Sequence, residues 1–237
     1  MALVLQDAFV MNLKRLKTTA ALLILFIFLT GVRSFGYLID IDNFPAPPAA
    51  GSQQDIDDLN EVKRWQKVRT AEQCEQAKAE AYLEFKFTFI QPYGPIPQKD
   101  ESVLENFYGK IFNKTDFYVL KLKQKWNRQR PFVRDPSIIR CVPAHPSSSY
   151  PSGHSTIGYV EAKIFGEIYP ELKAALLIRG LEIGQNRVIS GVHHPSDIEA
   201  GRQLGELVYK ELMETPEIKS DIESIKNNLK DMVIKNL

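Results

Sequence analysis

The chain has 237 residues, 44% hydrophobic and 25% charged, a balance that fits one sizeable globular domain. Its 30 Lys and Arg stand against 29 Asp and Glu, for a net charge of +1. With no global excess of positive charge, any basic site must be local, which argues against a nucleic acid polymer as the main partner.

The N-terminus departs from this average. Lys14, Arg15 and Lys17 precede an uncharged stretch, Thr18 to Val32, containing AALLILFIFL, and the small residues Ser34 and Gly36 follow. This is the layout of a signal peptide cleaved near Gly36. Its apolar core is short of the roughly 20 residues of a membrane span, although retention as an anchor stays open. Met11 opens a more typical signal than Met1, so the true start also stays open. No later segment reaches a transmembrane length. The expected organisation is a leader at 1–36, an extended arm at 37–55 built on NFPAPPAAGS, and a folded domain at 56–237.

From Ile56 the pattern turns helical, rich in Glu, Lys, Ala and Gln with spaced apolar residues, until three prolines in FIQPYGPIPQ interrupt it. Helical patterns resume at Glu101–Phe112, Asp116–Asn127, Ser155–Ile168, Glu171–Ile189, Pro195–Met213 and Ile218–Ile234. Almost nothing alternates with period two, so the expected fold is all-α, a compact helical bundle. Prolines 131, 136, 143, 146 and 151 mark a long irregular connection, Pro131 to Ser152, of the kind that usually carries function. Cys74 and Cys141 suit an exported chain in which they pair across a long loop, and an unpaired state fits equally well. Without a CxxC spacing, the sequence supports no zinc site.

Chemistry concentrates in three segments. In KQKWNRQRP, Lys123 and Arg130 are seven positions apart, which on a helix puts them on nearly one face, with Pro131 ending that helix at Arg130. Lys121, Lys125 and Arg128 in the same stretch give the plainer alternative of a solvated basic face. In SSSYPSGHSTIGY, Ser152 is a good N-cap for the apolar run Ile157, Val160, Ile164, Phe165 and Ile168. His154 then lies in a first helical turn, where free backbone N–H groups make an anion site. In NRVISGVHHPSD, Arg187 precedes His193 by six positions, and Asp197 follows His193 by four. Pro195 suits a first helical turn, so Asp197 can reach back to His193 and fix its tautomer. His193 and His194 side by side form a poor chelate, because adjacent residues on a regular element point apart. Three cations, backbone donors at a helix start, a histidine oriented by a carboxylate and a second histidine are what phosphoryl transfer requires.

KxxxxxxRP, PSGH and RxxxxxHxxxD, in this order, resemble the three-part signature of the type 2 phosphatidic acid phosphatase and vanadium haloperoxidase superfamily. The segments SYPSGHSTIGY, RGLEIGQNRVISGVHHPSDIEAGR and FPAPP are similar to those of the class A bacterial nonspecific acid phosphatases, so the resemblance runs from about Phe44 beyond Tyr209. It implies that His193 is a nucleophile forming a phosphohistidine, Asp197 its orienter and His154 the acid for the leaving group. Lys123, Arg130, Arg187, the Ser152 hydroxyl and the Gly153 N–H would hold phosphate oxygens. Asn186 stands where that family generally has serine, and Ser148 where it often has glycine; the match is weak over Gln53 to Phe112. The implied protein is a periplasmic or secreted acid phosphatase. It needs no metal or cofactor, acts on varied small-molecule phosphomonoesters, keeps no stable membrane span after cleavage and forms a homo-oligomer, a dimer or larger. The alternatives are a vanadate-dependent haloperoxidase and a non-catalytic helical phosphate-binding protein.

Overall fold

The proline-rich arm gives way to helix at Ser52, whose hydroxyl accepts from the Asp55 N–H at 3.3 Å and starts α1, Gln53–Val68, three residues ahead of the expected Ile56. The computed structural model describes residues 39–82 and 98–228, with side chains described from Leu104 onward in the second stretch and to Asn227. The expected leader at 1–36, the proline-rich stretch 89–97 and residues 229–234 of the expected last helix lie outside the described residues. The described residues belong to one compact unit, Gly36–Leu237.

The helical pattern after Ile56 divides in two. Arg69 is extended, and Thr70 opens α2, Ala71–Ala79, through a capping box with Gln73. The two helices expected between Glu101 and Asn127 are one, α3, Gln98–Trp126. It runs on through the polar stretch Asn113–Asp116, where the Thr115 hydroxyl donates to the Ile111 carbonyl one turn back, at 2.7 Å. Asn127 ends α3 with a left-handed φ of 43°, its N–H bonded to the Lys123 carbonyl. A four-residue helix, α4, Pro131–Arg134, then opens the connection expected to be wholly irregular. The chain continues through α5, Gly153–Ile168; a 3-10 turn, Pro170–Leu172; α6, Lys173–Ile189; α7, Pro195–Glu214; and α8, Pro216–Asn228. Among the described residues there is no strand, and the fold is all-α. No helix among them is long and apolar enough to cross a membrane.

Helix α5 is buried along almost its whole length, and α3, α6, α7 and α8 pack around it. Val160, Ile164, Phe165 and Ile168 of α5 meet Ile111, Tyr118 and Leu122 of α3, Ile183 of α6, Leu204 and Val208 of α7, and Ile222 of α8 in one core. Each such side chain contributes about 1.5–3 kcal/mol by leaving water.

Glycines set how closely these helices approach. A Cβ on Gly180 of α6 would lie 2.6 Å from the Gly158 carbonyl of α5, so the two backbones touch there. A Cβ on Gly201 of α7 would lie 2.7 Å from the Ser152 carbonyl, which seats α7 against the start of α5. The arm is held too: Phe44 enters the core, the Tyr150 hydroxyl donates to the Pro45 carbonyl at 2.8 Å, and Lys125 donates to the carbonyls of Ile41 and Asp42. A Cys74–Cys141 disulfide joins α2 to the loop after α4, and the Cys141 N–H donates to the Ser190 carbonyl at the end of α6.

Candidate active site

The start of α7 and the loops that precede α4, α5 and α7 converge on a single carboxylate. Pro195 is the first residue of α7, so Asp197 falls in its first turn, where orphan N–H groups favour an anion. Asp197 Oδ2 accepts from the His194 N–H at 2.8 Å and the Ser149 hydroxyl at 2.5 Å, and it faces Nδ1 of His194 at 3.1 Å and Nδ1 of His193 at 3.3 Å. Its Oδ1 accepts from Arg128 at 2.7 Å. The side chain is fully buried; burial would raise its pKa, but the hydrogen bonds from His193 and His194 outweigh that and hold it well below the usual range.

The far nitrogens settle the tautomers. Arg130 lies 3.1 Å from His193 Nε2, and Arg134 lies 3.2 Å from His194 Nε2. A guanidinium only donates, so each Nε2 must be the bare, accepting nitrogen and each Nδ1 carries the hydrogen that points to Asp197. Burial, then the Arg130 charge, pushes the His193 pKa well below its ordinary value, so the ring is neutral with an unprotonated Nε2. The adjacent histidines do not point apart; both converge on one carboxylate oxygen while their outer nitrogens meet different arginines.

Lys123 and Arg130 meet near His193, but not as two positions on one helix. Because α3 stops at Trp126, Arg130 is instead the extended residue that caps α4, and Pro131 takes the first position of that helix. Its guanidinium donates to the carbonyls of Ser147 at 2.9 Å and Val192 at 3.0 Å. The Lys123 ammonium donates to the carbonyls of Ser148 and Ser149. Burial, then Arg130, lowers Lys123 to about 7, and burial lowers Arg130 to about 10.

At the start of α5, Ser152 is the N-cap, its hydroxyl accepting from the Ser155 N–H at 3.3 Å. The Ser152 N–H donates to the Asp197 carbonyl at 2.9 Å, so the first turns of α5 and α7 are bonded together. Gly153 and His154 are the first two residues of α5, whose N–H groups have no acceptor within the helix. His154 Nε2 donates to the Glu80 carbonyl at 3.1 Å. Burial, then the Arg187 charge, lowers His154 to about 3. Arg187, near the end of α6, donates through NH2 to the Ala77 carbonyl at 2.7 Å and to Glu80 Oε2 at 3.2 Å. Its Nε is buried without a hydrogen-bond partner among the described residues.

Sequence reasoning missed the shell behind these groups. Arg128, grouped with the solvated lysines, is buried and also bonds Ser196 at 2.7 Å, Asp55 at 3.0 Å and Asp58 at 2.9 Å. Arg134 grips Asp55 through two 2.7 Å bonds. Asp55 and Asp58 come from α1 and Ser196 from α7, all remote from Arg128 in the chain, so no local spacing points to them. Lys78, Ala81, Tyr82, Arg140 and Val142 line a groove of about 770 Å³ whose lining includes none of the candidate site residues.

The PAP2 superfamily profile matches residues 111–217, which contain all three segments. The chain is 31% identical to the non-specific acid phosphatase of Providencia stuartii over 193 residues, 77% of each protein. It is 31% identical to the non-specific acid phosphatase of Salmonella typhimurium over 57% of this chain and 56% of that one. It is 41% identical to the acid phosphatase of Zymomonas mobilis over 34% of this chain and 32% of that one. With cations, two histidines and a buried aspartate supplied by the ends of helices α3 to α7, and with relatives matched over most of its length, the chain belongs to the non-specific acid phosphatases of the PAP2 superfamily and is a phosphoric monoester hydrolase.

Proposed function

We propose that this phosphatase works in two steps through a phosphohistidine on His193. The observation that carries the reading is the fixed tautomer of that ring: Nδ1–H faces Asp197 and the bare Nε2 faces Arg130. A substrate phosphate takes the Arg130 donor for one oxygen, which frees the Nε2 lone pair for phosphorus. Lys123, Arg187, the Ser152 hydroxyl and the Gly153 N–H hold the remaining oxygens. As the Nε2–P bond forms, the P–O bond to the leaving group breaks, and His154 supplies the proton that makes the departing alkoxide an alcohol. Water then attacks phosphorus while His154, neutral after the first step, takes its proton; the P–N bond breaks, its electron pair returning to His193 Nε2, and phosphate leaves with His154 protonated again for the next turnover. The negative phosphate offsets the Arg187 charge that suppresses His154 protonation, so substrate binding itself favours the acid form.

The same reading makes the enzyme metal-independent, because fixed cations neutralise the phosphate oxygens. It is exported after loss of 1–36, with an extended arm ahead of α1, and it assembles as a dimer or larger. The Cys74–Cys141 disulfide supports an oxidising compartment. The enzyme accepts phosphomonoesters with varied leaving groups, a reading supported by relatives named non-specific acid phosphatases. Rapid denaturation during turnover of p-nitrophenyl phosphate, followed by mapping at alkaline pH, is expected to find phosphate on His193, with activity intact after dialysis against EDTA. In His154→Ala the phosphorylation burst should persist for this aryl ester and collapse for glycerol phosphate. Phosphate mapped to His154, or equal burst losses for both esters, would overturn the assigned roles.

A further inference from the structure

Glu80 follows the last residue of α2, in a part of the chain where the sequence has no family motif, and only 2% of it is exposed. A buried carboxylate needs a reason and partners. Asn186 Nδ2 lies 3.0 Å from both of its oxygens, Arg179 lies 2.6 Å from Oε1, and Arg187 lies 3.2 Å from Oε2. Its main-chain carbonyl accepts from His154 Nε2. One residue therefore touches a phosphate-holding arginine with its side chain and the leaving-group acid with its backbone.

The contacts on Arg187 are one-sided. Glu80 and the Ala77 carbonyl both engage NH2, while Nε is buried with no partner among the described residues. An arginine gripped at one end presents the other in a fixed direction, so ligand oxygens meet a donor whose orientation is already set. Charge acts as well. A carboxylate in contact with Arg187 competes with phosphate for that cation, and Arg179 restores a net positive balance to the trio. The Asn186 amide occupies both carboxylate oxygens and moderates the competition; a serine there offers a single hydroxyl.

We propose that Glu80 is a positioning residue for phosphate capture and release: it aims Arg187 by holding its NH2, and its charge keeps phosphate from binding too tightly to leave. This rests on the reading of Arg187 as a phosphate ligand. It assigns Asn186 the role of tuning Glu80.

The test is inhibition by inorganic phosphate together with kcat, measured on the full chain with p-nitrophenyl phosphate. Glu80→Gln keeps the shape and removes the charge. It should bind phosphate about two- to thirtyfold more tightly, the range for losing a unit charge roughly 8 Å away, across the Arg187 guanidinium, at effective dielectrics of about 80 to 20. Its kcat should fall about tenfold or more as Arg187 loses alignment and product lingers. Asn186→Ser leaves the charge and removes its amide partner, so phosphate should bind about two- to fivefold more weakly, the opposite sign. Unchanged or weaker phosphate binding in Glu80→Gln, or unchanged or tighter binding in Asn186→Ser, would overturn the proposal, since a merely structural residue lowers kcat without this split. In an Arg187→Met background, Glu80→Gln should move phosphate affinity by less than about twofold. A full shift there means that Glu80 acts elsewhere, and the proposal fails while the role of Arg187 stands. If Arg187→Met alone binds phosphate as the parent does, the phosphate role of Arg187 fails first and the proposal with it.

Discussion

Replacing Arg128 with methionine tests the reading that Asp197 is held from behind by a buried ionic cluster. Arg128 is the shared partner of Asp197, Asp55 and Asp58, with contacts of 2.7, 3.0 and 2.9 Å. Arg128→Met keeps most of the volume and leaves three carboxylates facing one another, with Arg134 serving only Asp55 among them. Removing one partner of a buried pair costs about 3–5 kcal/mol, because the remaining charge stays desolvated. For a domain of this size each kcal/mol lowers Tm by about 2–4 °C, so a drop of about 6–20 °C is expected. The pH dependence carries the sign. Burial would raise Asp55, but Arg134 and Arg128 bring it to about 2, and Asp197 also sits well below its ordinary value. In the parent, that stabilisation is present above the unfolded carboxylate pKa near 4 and is lost as pH falls through the folded values. In the variant the folded values rise, so the deficit is full at pH 7 and narrows as the medium is acidified toward pH 4. Thermal melts of both proteins at pH 7 and pH 4.5 make the comparison. A drop under about 2 °C, or a deficit equal at both pH values, would show that solvent already screens the cluster and would refute the reasoning.

Two further outcomes follow from the same geometry. Lys123 is held at about 7 by burial and then by Arg130, so kcat/KM should fall as pH rises through about 7 and the ammonium loses its proton; Lys123→Arg stays charged and should move that alkaline limb up by about a unit or more, whereas an unmoved limb would assign it to another group. Cys74 and Cys141 are 67 positions apart, and opening a loop of that length costs about 4 kcal/mol of chain entropy, so the Cys74→Ala/Cys141→Ala double variant should melt well below the parent, and equal melting would place the restraint elsewhere.

What the sequence disclosed and what it hid follow the range of the interactions involved. The start of α5 was readable because Ser152 and the apolar run after it act within a few residues, and Pro195 marked α7 for the same reason. The match of Asp197 to His193 was also readable, being a four-residue reach across a helix start. Arg130 was read correctly as a neighbour of Lys123 for a reason that does not hold. The left-handed turn at Asn127 breaks the shared face, and the carbonyls of Ser147 and Val192 bring the guanidinium back. Arg128 could not be told from Lys121 and Lys125, since its burial depends on Asp55 and Asp58, about 70 residues upstream. Glu80 was hidden for the same reason, its side-chain partners lying about 100 residues downstream.

The bare backbone crossing at Gly158 and Gly180 acts as a fulcrum. His154 is four residues from it along α5, about 6 Å, whereas Ile168 at the other end is about 15 Å away; Arg187 is about 10 Å from it along α6. A 1 Å displacement at Ile168 therefore arrives at His154 as about 0.4 Å, inside the roughly 0.5 Å within which a catalytic group keeps its geometry. The bundle's far end, with its 3-10 turn at Pro170–Leu172, can drift in sequence and packing while the candidate site stays in register. A change at the crossing has no such protection: a tilt of only about 5° there moves His154 by about 0.5 Å and Arg187 by about 0.9 Å, which reaches or passes that limit for both.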